Sequence, residues 1–190
     1  MGQRSQIYVR HNGRLIIANY YQWNYAERMI SRARWGIEYL KEFVDNQYNW
    51  AFRDKSYITR FSRIFDTNFD MHDVAISCDI IKEHAELFPD RDFNDSVFNK
   101  QDNNDGQLFV DIQDDKILYC FRDMYTNKIM SASRYMNWDS PNWKKSKYTD
   151  ADEKATCAEN IEAIEELAQL MTKQQLENFL RGDYKEEIAE

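Results

Sequence analysis

Apolar and polar residues alternate with a period of two on either side of a short polar break near the start of the chain. Gln6-Ile7-Tyr8-Val9-Arg10 and Arg14-Leu15-Ile16-Ile17-Ala18-Asn19-Tyr20-Tyr21 flank His11-Asn12-Gly13. Asn-Gly accepts the positive φ of a tight turn, so the spacing predicts a β-hairpin over 6–21. The period then lengthens. Ala26, Met29, Ile30, Ala33, Ile37, Leu40 and Val44 recur at i, i+3/i+4 and predict a core-facing helix over about 24–44. Asn24 stands as its N-cap, with Glu27 in capping-box position. Arg28 and Arg32 fall on the opposite, polar side, where Arg34–Glu38 and Glu38–Lys41 are spaced to pair.

A second helix is expected over about 48–65, with Trp50, Tyr57, Phe61, Ile64 and Phe65 inward and Arg53, Arg60 and Arg63 outward. A third covers 73–88 and closes at Pro89. After a polar loop over 90–106 comes the strongest β pattern, a three-stranded meander at about 107–112, 116–122 and 128–136. An aromatic loop, Trp138 to Trp143, leads to a helix over about 151–171. A short last helix is capped by Thr172 with Gln175 in box position, ends at Gly182, and leaves a frayed acidic tail over 183–190. No repeat or linker divides the chain. The expectation is one α+β domain over 1–190: a five-stranded antiparallel sheet, hairpin plus meander, with helices packed on it.

Composition narrows the class. The 28 aromatics (5 Trp, 12 Tyr, 11 Phe) among 190 residues argue against disorder, and 5 Gly with 2 Pro leave no room for a linker-rich chain. No apolar run approaches the roughly 18 residues of a membrane span, and Met1 to Arg10 leads into no signal-peptide core, so no membrane partner is expected. Three cysteines, odd in number and without C-x-x-C spacing, point to a reducing, cytoplasmic setting.

Charge is unevenly placed. Residues 1–65 hold 11 Lys+Arg against 5 Asp+Glu, a net +6, whereas 66–190 hold 14 against 28, a net −14. Poles of this size either steer a charged partner or neutralise each other inside the fold. The overall −8 opposes non-specific nucleic-acid binding by the whole protein, which needs a positive field.

Catalytic motifs are sparse. Asp66, Asp70, His72 and Asp73 lie at short spacing and form the weak candidate for a divalent metal, although no established ligand pattern is met. Asp102 to Gly106 fails as a calcium loop, because Gln101 and Ile112 occupy positions that require Asp and Glu. Neither a nucleophile elbow nor a phosphate-cradling glycine loop is present, and no cofactor is expected. Two binding surfaces remain. One is an acidic face of Asp92, Asp95, Asp102 and Asp105 with Glu153, Glu159, Glu162, Glu165 and Glu166. The other is a basic-aromatic patch of Arg4, Tyr20, Tyr21, Trp23, Arg28, Arg32 and Trp35, suited to a protein hot spot or to single-stranded nucleic acid.

Gly2-Gln3-Arg4-Ser5, the strand that follows and Tyr20-Tyr21-Gln22-Trp23 resemble a loose group of small proteins from phages and prophages, which open Gly-x-Arg-Ser and carry a Tyr-x-x-Trp-like segment before a helix. The resemblance covers about the first 45 residues. It implies a phage protein working in the bacterial host cytosol and, by analogy, an inhibitor that binds a host defence protein without catalysis. A CRISPR effector, whose basic channel an acidic face would fit, is one such partner. A metal-dependent enzyme acting on nucleotide or nucleic acid, and a nucleic-acid-binding module, are the alternatives.

Overall fold

The computed structural model describes residues 2–74, 78–87, 98, 104–123, 125–126, 128–147 and 149–182. The hairpin forms as the alternation requires: β1 (Arg4–His11) and β2 (Arg14–Gln22) pair antiparallel, with Asn12 and Gly13 at positive φ in the turn. Helix α1 (Ala26–Asp45) follows, then a 3-10 turn (Asn49–Arg53) and α2 (Lys55–Asp66). The short strands β3 (Thr67–Asn68) and β4 (Asp73–Val74) pair with each other. Next come β5 (Cys78–Asp79), α3 (Ile80–Leu87), β6 (Gln107–Gln113) and β7 (Lys116–Arg122). The chain continues through β8 (Ile129–Met130), α4 (Ala132–Asp139), α5 (Ala151–Leu167), β9 (Gln169–Leu170) and α6 (Lys173–Arg181).

Hairpin and meander share one sheet, but it is neither five-stranded nor wholly antiparallel. Its order is β5-β2-β1-β6-β7-β8, with β9 also on β7, giving seven strands. The central seam, β1 against β6, is parallel, and so is β7 against β9. Parallel neighbours need a long connection, and the helices α1 and α2 lie within the one joining β1 to β6.

Alternation now divides two buried faces. Ile7, Val9, Leu108, Val110, Tyr119 and Phe121 face α1, α2, α4 and α5. Tyr8, Phe109, Leu118 and Cys120 face α6, where Phe179 closes an aromatic cluster with Phe98. This second face also carries a polar row: Gln107 Nε2 donates to Gln6 Oε1 and Arg122 Nε donates to Gln107 Oε1 (2.8 Å).

Other departures have local causes. The expected strand over 128–136 stops at Met130, because Ser131 caps α4 by accepting from Arg134 N (3.4 Å) and Ala132, Tyr135 and Met136 form a helical stripe. Asp54 breaks the 48–65 helix by capping α2 at Ser56 N (2.8 Å), which leaves Trp50 exposed on the 3-10 turn. Among the described residues of the expected 73–88 helix, Ile80–Leu87 is helical, whereas Asp73–Val74 and Cys78–Asp79 lie in strands. The helix expected to run to 171 ends at Leu167, and β9 follows. Thr172 and Gln175 make the expected capping box, and Gly182 (φ 72) terminates α6.

Asn24 does not cap α1. Its buried amide accepts from Arg32 Nε (3.0 Å), and the first free N–H of the helix, at Ala26, donates instead to Asp139 Oδ2 of α4 (2.5 Å). Nor is Arg32 on a polar side: it is 0% exposed, and its guanidinium donates to the last carbonyls of α2, at Phe65 (3.1 Å) and Asp66. A cation at a helix C-terminus is favourably placed. Arg34–Glu38 pairs as expected (2.9 Å), while Lys41 pairs with Asp45.

Candidate functional site

The N-termini of α1 and α5 open onto one groove of about 340 Å³. Five carboxylates line it: Glu27, Asp70, Asp150, Asp152 and Glu153. Glu27, Asp152 and Glu153 occupy first helical turns, where the positive end of the helix dipole stabilises them. Asp150 and Glu153 form a capping box, Asp150 Oδ1 accepting from Glu153 N at 2.8 Å. Asp70 comes from the 69–71 turn and accepts from Asn160 Nδ2 (2.8 Å) and Trp35 Nε1 (3.4 Å), which ties the turn to α5 and α1. Burial pushes the Glu27 carboxyl above its usual range, and Glu153 adds to the effect. Burial also pushes the Cys157 thiol in the same groove up to about 12.

Beside these carboxylates the turn exposes apolar surface, Phe69 at 39% and Met71 at 40%, with Phe69 against the half-buried Trp35 ring (5.3 Å). From Asp152 an acidic stripe continues along α5. Asp152, Glu159, Glu162 and Glu166 are exposed and form no ion pair among the described residues. At about 1.5 Å rise per residue this stripe runs roughly 21 Å. Glu165 is otherwise engaged, its Oε1 accepting from Ser133 N at the start of α4 (3.0 Å).

The expected acidic face is therefore only partly assembled here. Asp92, Asp95 and Asp102 lie outside the described residues. Asp105 is buried and holds β1, accepting from Arg4 N (2.5 Å) while its own N–H donates to Arg4 O (2.9 Å).

The expected basic-aromatic patch does not form one surface. Tyr21 is fully buried and donates to Asp66 Oδ1 (2.9 Å), Arg32 is internal, and Tyr20 packs half-buried on the second face. Arg28 lies over Tyr25 (5.8 Å), and Trp23 alone of the seven is largely exposed. The metal candidates are likewise dispersed. Burial holds the Asp66 carboxyl above its usual range, with Tyr21, Arg32 and Asn19 opposing, while Asp70 and His72 face solvent and the Asp73 side chain lies outside the described residues. Among the described residues no three His, Cys, Asp or Glu converge as a metal site.

A second basic-aromatic surface escaped the sequence pattern, because Trp50 reads as a core residue until Asp54 interrupts the helix. Tyr48, Trp50, Arg53 and Arg60 are exposed there, with Trp50 edge-on to Tyr57 (5.0 Å) and Arg60 over the Tyr57 ring (5.0 Å). Comparison with protein-family models, with curated proteins and with solved structures yields no match to the chain. Among the described residues no helix is long and apolar enough to cross a membrane.

Proposed function

We propose that this protein works by binding, capturing a basic surface of a partner protein on the acidic face formed by the groove and the α5 stripe. The observation that carries this reading is the meeting of two features at one place. Carboxylates without ion pairs border a turn that exposes Phe69 and Met71. A merely solvated helix face needs no exposed apolar neighbours, whereas an interface combines an apolar centre with a charged rim. In the phage setting that the first 45 residues imply, the partner is a host nucleic-acid-binding effector, and the stripe takes the place of its nucleic acid.

The test uses an arginine-rich amphipathic peptide as probe, with anisotropy read at about 50 and 300 mM salt. Steered association weakens across this range, because the Debye length contracts to below about 10 Å. Charge reversal at Glu159, Glu162 and Glu166 together is expected to weaken binding at least tenfold, and Phe69→Ala with Met71→Ala to speed dissociation, with melting curves unchanged. Salt-insensitive binding, or a triple variant that binds like the parent, would remove this reading. Divalent-ion-dependent cleavage of labelled RNA or DNA would instead favour the metal-dependent enzyme.

A further inference from the structure

Six large apolar or aromatic side chains stand exposed among the described residues, and four of them gather at two places. Phe69 and Met71 share the turn beside the acidic groove, and Tyr48 and Trp50 share the 3-10 turn and the residue before it. Each pair is bordered mainly by charge of one sign. Carboxylates border the first. The exposed Arg53, Lys55 and Arg60 border the second, with Arg60 over the Tyr57 ring that props Trp50. Asp54, the acid among these cations, is engaged in capping α2.

The two sets of charge do not meet within one copy. Arg53, Lys55 and Arg60 form no ion pair among the described residues, and neither do Asp152, Glu159, Glu162 and Glu166. The groove takes Glu27 from the first turn of α1, whereas Tyr48 and Trp50 follow its last turn. The 20 residues of that helix span about 30 Å.

Beside Trp50 the surface is recessed. The hairpin turn and the β6–β7 turn meet the 3-10 turn around a cavity of about 380 Å³, lined by His11, Asn12, Asn49, Trp50, Arg53 and Asp114. Its polar lining is bonded within the fold or buried away from the opening. Asn12 N donates to Ile112 O (2.9 Å), Asn12 Nδ2 donates to Asp114 Oδ1 (2.6 Å), and the Asn49 side chain bonds to His11, which is 4% exposed. What the opening offers is therefore mostly carbon, next to a Trp50 ring that is 55% exposed. An apolar side chain fits such a recess better than a polar ligand does.

We propose that copies of this protein associate head to tail, with the basic-aromatic surface of one copy seated on the acidic face of the next. The turn carrying Phe69 and Met71 packs against Trp50 and the cavity beside it, while Arg53 and Arg60 meet the carboxylates of the groove and stripe. An apolar projection on one part of a surface that matches a recess on another makes a contact of this heterologous kind. The net charge of −8 repels copies at a distance, but at contact the local poles decide, because the Debye length is only about 8 Å in physiological salt. The inference rests on the acidic face being a binding surface and gives that face a regulator: a second copy covers it until a more basic partner displaces the copy.

Analytical ultracentrifugation of the full chain from about 5 to 200 μM tests it, and the weight-average mass of the parent is expected to rise beyond that of one chain. Two variants each damage one mating surface: Glu159→Lys with Glu162→Lys and Glu166→Lys, and Arg53→Glu with Arg60→Glu. Each is expected to remain a single chain by itself, with melting curves showing that both fold. Mixed one to one they are expected to pair, because each keeps the surface that the other has lost. Trp50→Ala leaves every charge in place and is expected to weaken parental association at least tenfold. The inference is overturned if the parent remains a single chain, if the mixture does not pair, or if either variant alone associates like the parent. Binding of the arginine-rich peptide by a parent that stays single removes this inference and leaves the acidic face as a binding surface. Pairing of the two variants without any peptide binding supports it and removes the basic host partner. A labelled single strand bound through Trp50 by a single-chain parent overturns it in favour of nucleic acid at that surface.

Discussion

Arg10 and Asp111 are register partners on the parallel strands β1 and β6 and are joined by two hydrogen bonds, Nε to Oδ1 at 2.8 Å and Nη2 to Oδ2 at 2.9 Å. Both are buried, and the guanidinium also lies over the Phe179 ring at 4.5 Å and donates to Asn178 O at 3.3 Å. One charge pair thus ties the central seam of the sheet to α6. Asp111→Ala leaves the guanidinium buried without its carboxylate and is expected to lower stability by about 3–5 kcal/mol. Replacing both partners with apolar residues of similar volume is expected to recover most of that loss. Urea unfolding of the single and double variants checks both outcomes.

Gly36 sits in the middle of α1, where alanine would ordinarily help the helix by about 1 kcal/mol. Here a Cβ would lie 2.1 Å from Phe65 Cε1 on α2. The ring is fully buried and has nowhere to retreat. Gly36→Ala is therefore expected to destabilise by about 1–3 kcal/mol, and Gly36→Ala with Phe65→Leu to be milder than the sum of the two. Thermal melts of the four proteins decide it.

Asp139 caps α1 from a distance, and burial raises its carboxyl to about 7, with the Ala26 N–H opposing and Asp105 adding to the rise. The folded state therefore holds a proton that the unfolded state, near 3.8, has released. Stability falls as pH rises from about 4 to about 7 and then levels off, by on the order of 2 kcal/mol across the whole window once residual solvent around a half-buried group is allowed for. His11 acts in the opposite sense, but only below its ordinary 6.5. The melting temperature of the parent relative to Asp139→Asn is expected to fall between about pH 4.5 and 7 and to level off by about pH 8.

Three thiols differ sharply in access. Cys78 is half-buried and donates to Glu83 Oε2 at 3.1 Å, whereas Cys120 and Cys157 are buried with their thiols pushed up by desolvation. A thiol reagent is expected to label Cys78 promptly in the native protein and all three cysteines in denaturant. Rapid native labelling at Cys157 would mean that the groove opens far more widely than its packing allows.

Local signals in the sequence suffice where the chain itself decides the outcome. The Asn12-Gly13 turn, the alternation of β6 and β7, the Thr172–Gln175 box and the Gly182 stop all depend on neighbours in sequence. The parallel β1–β6 pairing leaves no such trace, because alternation looks the same whichever way a partner strand runs. The helical spacing puts Arg32 on the polar side of α1 for a related reason. Its partners, the Phe65 and Asp66 carbonyls, become available only when α2 ends beside α1. The acidic stripe of α5 was legible from its spacing, but the groove was not, since Asp70 meets Asn160 across 90 residues. The cavity at the hairpin end was hidden twice over. It needs two strand turns to converge, and it needs a helix break that turns Trp50 outward.

The parallel seam also bears on how the chain finds its structure. Hairpin and meander are each assembled from near neighbours, but Gln6 pairs with Gln107 and His11 with Ile112, so the seam requires the closure of a loop about 100 residues long. Closure of this kind depends only weakly on length, about 0.6 kcal/mol for each doubling, yet it must precede any reward from the seam. The segments being joined carry opposite charge, +6 before residue 66 and −14 after it, so their encounter is drawn together over distance. Added salt is expected to slow the refolding limb of a chevron while leaving the unfolding limb nearly unchanged, because the attraction acts on the search and not on the finished, largely desolvated seam. A salt-sensitive refolding limb beside a salt-insensitive unfolding limb would assign the uneven charge of this chain a part in its own folding.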